Sequence, residues 1–154
     1  MTRLERVLLQ GSSAAVAVTG GVYAWMKYAM TTDDPYAVVH HPLQPLVLKL
    51  HILAGPVLVF AVGMTVAGHV RRQWGQPGGR GRRTGYPLTF LIPPLVITGY
   101  LMQAFTDERW LQVLGWIHLA LGLLFTVWFG GHRVGAEIRR RRARRRGMAG
   151  DRAA

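Results

Sequence analysis

The 154-residue chain contains no cysteine. That absence excludes disulfides, thiolate-held iron–sulfur clusters and the Cys-x-x-Cys-His site through which c-type haem is attached covalently. Acidic residues are also scarce, 7 Asp and Glu against 19 Lys and Arg. None lies inside the second or fourth of the apolar stretches set out below, so carboxylate-rich metal sites have no material there. Nothing pairs a nucleophile with its base, and no phosphate-cradling loop or dinucleotide fingerprint is present. Gly78-Gly79-Arg80-Gly81 is a flexible basic loop, not a nucleotide motif.

What the chain has in abundance is hydrophobic residues, 50% of the total. They fall into four stretches, Leu4–Met30, Pro45–Val70, Tyr86–Phe105 and Trp110–Gly131. Each approaches or exceeds the ~20 residues that cross a hydrocarbon core about 30 Å thick. Backbone inside lipid must satisfy its own hydrogen bonds, so the expected architecture is all-α, an integral membrane four-helix bundle forming one domain over 1–154. Turn signals separate the spans at Thr31-Thr32-Asp33-Asp34-Pro35, Gly75-Gln76-Pro77-Gly78-Gly79 and Thr106-Asp107-Glu108. The first span has a basic start but no clear small-x-small cleavage site, and reads as a retained helix rather than a signal peptide.

The net charge of +12 invites a nucleic-acid reading, which its placement argues against. Sixteen of the 19 basic residues lie at the start of span one (Arg3 and Arg6), between spans two and three, or in a basic tail over 133–154. Four spans put all three segments on one side, and the positive-inside bias makes that side cytoplasmic, with both termini there. The arginines of the tail then act as topology anchors that meet anionic lipid headgroups. The setting expected is the inner (cytoplasmic) membrane of a bacterial-type cell.

Histidine placement carries the functional reading. His51 and His69 lie on span two, His118 and His132 on span four, and alternating topology makes these spans parallel. A histidine in lipid is costly to desolvate unless it meets a partner or performs a task. At about 100° per residue, the 18 steps from His51 to His69 make five whole turns, and the 14 from His118 to His132 fall about 40° short of four. Both pairs therefore project from one face. The rises are about 27 Å and about 21 Å, a mismatch of roughly 6 Å for tilt or a kink to absorb. His51 pairs with His118 at the outer level and His69 with His132 at the inner one. Zinc or copper prefers several ligands clustered at one depth. Two separated imidazole pairs instead suit the axial positions of two non-covalent b-type haems.

Small residues support room for a macrocycle. Gly55 is one turn beyond His51, and Gly115 and Gly122 flank His118 at i−3 and i+4. Such glycines also permit close helix contact with no cofactor. Arg71, Arg72 and Arg133 could neutralise inner propionates, or serve only as topology charges. Pro93-Pro94 should kink or break span three.

On His51, His69, His118 and His132 the chain resembles the small four-helix, di-haem membrane cytochromes b, relatives of the cytochrome b and b561-like subunits of quinone-linked respiratory complexes. The resemblance covers the four spans and not the tail. It implies electron transfer between membrane quinone or quinol and a redox partner, and so an electron-transfer subunit of an oxidoreductase complex. Candidate quinone or proton groups gather at the outer end: Lys27, Tyr28, Asp33, Tyr36, His40 and His41. His40 and His41 precede Pro42 and belong to an extended loop. With no site for oxidising a soluble substrate in the chain, a redox subunit on the periplasmic side is the expected partner. Two rival readings use the same residues: a haem-free membrane anchor or assembly subunit, and a small transporter with a histidine relay.

Overall fold

The computed structural model describes residues 2–34, 37, 39–67 and 82–150, with side chains over 2–34, 37, 39–67, 87–143 and at 145. Among the described residues four helices follow one another: α1 (Arg3–Tyr28), α2 (Gln44–Thr65), α3 (Arg82–Ala104) and α4 (Glu108–Gly150). All four are long and apolar enough to cross a membrane. The chain is accordingly a multi-pass, all-α membrane protein.

Local chemistry sets the helix starts. Thr2 and Glu5 form a reciprocal capping box, Glu5 N donating to Thr2 Oγ1 at 3.2 Å and Thr2 N to Glu5 Oε2 at 2.9 Å. Pro45 occupies the first turn of α2, where its missing N–H is of no consequence. Asp107 caps α4, its Oδ1 accepting from Trp110 N at 3.1 Å. An Asp107→Ala protein should lose about 1 kcal/mol of stability, the usual worth of such a cap. Thermal unfolding in detergent checks this.

Inside the spans, several hydroxyls bond to the backbone one turn back. Ser12 Oγ donates to Leu8 O at 2.7 Å, Thr65 Oγ1 to Ala61 O at 2.9 Å and Thr126 Oγ1 to Gly122 O at 2.7 Å. Prolines do not end the helices. Pro56 lies within α2, and Pro87, Pro93 and Pro94 within α3, which continues unbroken past the expected break. Each proline forfeits one backbone hydrogen bond. The alternative in lipid, an unravelled segment, would forfeit several.

Packing fixes the directions. Thr19 meets His51 and Tyr23 meets Gln44, so α1 and α2 are antiparallel. Thr98 meets His118 and Leu95 lies beside Gly122, so α3 and α4 are antiparallel too. The end of α1 reaches the start of α4, where Tyr28 stacks on Trp116 with ring centroids 4.6 Å apart. Thus α4 runs opposite to α1 and parallel to α2. Leu88, Leu95 and Phe125 form a buried cluster between α3 and α4, backed by Leu91, Ile92, Leu121 and Phe129. Outward side chains are apolar: Leu53, Phe90 and Val127 are 70%, 73% and 72% exposed. Water would penalise such a surface, and lipid would not.

The basic segment read as a tail is helical as far as Gly150. At 43 residues, α4 is about 65 Å long, twice the thickness of a hydrocarbon core. One exposed pair, Arg141 Nε to Glu137 Oε1 at 2.9 Å, lies on this extension. Such i,i+4 pairs add only about 0.3–0.5 kcal/mol, so helical continuity from the apolar segment sets its course.

Candidate haem-ligand pair

The site begins with two imidazoles. His51 projects from α2 and His118 from α4, and both are half-buried. Their ring centroids stand 6.2 Å apart with planes at 86°. Among the described residues α2 and α4 share no more than a marginal backbone contact, so the rings face each other across helices that otherwise stand apart. No hydrogen bond joins the two rings. Each is held within its own hairpin instead, His51 Nδ1 3.1 Å from Thr19 Oγ1 on α1 and His118 Nδ1 3.0 Å from Thr98 Oγ1 on α3.

This spacing can be tested against a metal-bound pair. An imidazole nitrogen binds a metal at about 2.0–2.1 Å and lies about 1.1 Å from its ring centre, so two rings on opposite sides of one ion have centres about 6.3 Å apart. The observed 6.2 Å fits. The engaged Nδ1 atoms fit as well, because a ligating histidine ordinarily commits its other nitrogen to an outer partner. Among the described residues no three His, Cys, Asp or Glu side chains come together as a metal-binding group. A two-ligand site suits a porphyrin iron, whose other four donors come from the macrocycle, better than a tetrahedral zinc.

The inner level stands differently. His69, Arg71 and Arg72 lie outside the described residues, as does Tyr36. His132 is half-buried on α4 and the adjoining Arg133 is exposed.

Of the glycines singled out by sequence, Gly55 opens onto free space beside His51. Gly115 lies under the Tyr28 hydroxyl and Gly122 beside Leu95 Cδ1, so these two serve helix contacts with α1 and α3. The glycines that approach the imidazoles are on the neighbouring helices. A Cβ on Gly20 would stand 2.8 Å from His51 Cε1, and one on Gly99 3.2 Å from His118 Cε1. Thr19, Gly20, Thr98 and Gly99 were not legible from reading the histidine-bearing helices alone. Their signal is a Thr-Gly dipeptide inside spans one and three.

The outer polar groups are partly assembled. Lys27 Nζ lies 5.9 Å from the Tyr23 ring centroid and 5.5 Å from that of Tyr28. Tyr23 hydrogen-bonds the buried Gln44, whose Oε1 accepts from His40 N at 3.0 Å. His40 Nδ1 is buried without a hydrogen-bond partner, and His41 Nδ1 accepts from Leu43 N at 3.1 Å. Asp33 is exposed. Tyr23 and Gln44 are additions to the sequence-derived set, placed one turn above Thr19 and two turns above His51.

Comparison of the chain with known protein families, curated proteins and solved structures gives no match.

Proposed function

We propose that this protein is a membrane cytochrome b subunit that passes electrons through b-type haem between membrane quinone and a redox partner. One observation carries the reading: the imidazoles of His51 and His118, on parallel helices, have centres 6.2 Å apart, the span of two axial ligands across one iron. His51 and His118 would hold the outer haem. His69 and His132, in spans two and four of the sequence, would hold an inner one. A bis-histidine haem supplies one-electron transfer, with no open iron position for oxygen chemistry.

The chain's own groups supply the rest. Lys27, Tyr28, Tyr23 and His40 line the outer end, where quinol oxidation or quinone reduction requires protons to be moved. Basic residues at the start of α1, from Arg71 to the start of α3, and along the end of α4 favour cytoplasmic termini in a bacterial-type cell, so the outer end would face a periplasmic redox subunit.

An absorbance spectrum tests the proposal. Purified protein should show the reduced-minus-oxidised bands of low-spin haem b, with about two haems per chain on the bis-histidine scheme. A colourless protein from haem-replete cells would sink the reading and leave a haem-free anchor in its place.

A further inference from the structure

Two separate hairpins present their histidines in the same manner. In α1–α2 a Thr-Gly pair, Thr19-Gly20, backs His51; in α3–α4 Thr98-Gly99 backs His118. In each, the threonine hydroxyl is the partner of Nδ1, and the glycine makes room for Cε1 of the same ring. The same module thus occurs twice, although 31 residues separate Thr19 from His51 and only 19 separate Thr98 from His118.

Proton accounting gives these contacts a direction. A threonine hydroxyl has one proton and two lone pairs. Thr19 Oγ1 lies 2.6 Å from Ala15 O and Thr98 Oγ1 2.8 Å from Pro94 O. Two oxygens that close repel each other unless a proton lies between them, so each hydroxyl donates to its carbonyl. The oxygen can then only accept from the histidine. Both rings therefore carry their proton on Nδ1 and keep the lone pair on Nε2, the form in which an imidazole binds a metal.

We infer that Thr19 and Thr98 are positioning residues for the two outer ligands, fixing their tautomer and orientation and strengthening Nε2 as a donor. This rests on the haem reading above. A hydrogen bond that draws on the Nδ1 proton raises the basicity of the ligand and favours ferric iron. In the full-length protein, Thr98→Val removes the hydroxyl at nearly constant shape, and Thr98→Ser keeps it.

Redox titration of the outer haem should show that Thr98→Val weakens the ferric preference about tenfold, an upward shift of about 59 mV for one electron. Thr98→Ser should restore the wild-type value. Loss of the haem from the valine variant alone would carry the same meaning. A potential unmoved in Thr98→Val, or moved equally in both variants, overturns the inference while leaving the haem reading intact. Should the wild type hold no haem, that reading fails instead, and nitrogen-15 shifts of the imidazoles decide the threonine role. Protonated Nδ1 in the wild type supports it, and protonated Nε2 overturns it.

Discussion

In a His118→Ala protein, haem content should fall from about two per chain to about one, with the loss confined to the outer site. His51 then has no opposite ligand, and the alanine side chain can neither coordinate nor fill the space of an imidazole. Losing one of two axial ligands is far more damaging than losing an outer hydrogen bond, which itself costs about 10–100-fold in affinity. Any outer haem that remains should be five-coordinate and high-spin, and imidazole added to the buffer should return it to low spin. His51→Ala should give the same spectrum, because on the proposed reading the two residues would serve one iron. Pyridine haemochrome assay against protein concentration measures the stoichiometry. Full haem content in both variants would end the assignment of this pair.

A second large effect is expected from a single methyl group. A Cβ on residue 20 would stand 2.8 Å from His51 Cε1, where ordinary contact begins at 3.4 Å, so Gly20→Ala must displace that ring by about 0.6 Å. The ring lies at the end of a side chain and can move, so the fold should persist. Ligand geometry should not, since binding sites need their groups held within about 0.5 Å. Outer haem should be depleted or high-spin in Gly20→Ala, and less affected in Gly99→Ala, where the approach is 3.2 Å. Gly11→Ala is the control: nothing lies within 4 Å of that position. There the methyl should leave the spectrum unchanged and add about 0.5–1 kcal/mol through helix propensity. A wild-type spectrum in Gly20→Ala would mean that the imidazole is not held against α1 in the loaded protein.

These variants also mark which parts of the molecule could be read from sequence. Hydropathy located all four helices, with starts within a few residues, because lipid leaves the backbone no alternative to helix; α4 alone runs well past its expected end, from Gly131 on to Gly150. The approach of His51 to His118 was legible too, since depth and helical phase are both counted along the chain. Two features escaped that arithmetic. Pro93-Pro94 predicts a kink or a break, and α3 runs through without a break, as the cost of a lost hydrogen bond is smaller in lipid than that of an exposed segment. The second is the backing of the imidazoles by Thr19, Gly20, Thr98 and Gly99. Periodicity describes which residues share a face of one helix. It says nothing of which neighbour that face meets, so it points to glycines on α2 and α4 while the close approaches come from α1 and α3. A Thr-Gly pair in each of the two non-histidine spans was the available clue.

Because His51 belongs to one hairpin and His118 to the other, neither half of the molecule owns a complete site. Whatever engages both rings is also a clasp between halves that otherwise touch mainly where α1 meets α4. Occupancy and assembly are then a single equilibrium: each tenfold gain in the tightness of the clasp adds about 1.4 kcal/mol to the union of the hairpins. The two halves, synthesised as separate polypeptides in one membrane, would have a reason to find each other.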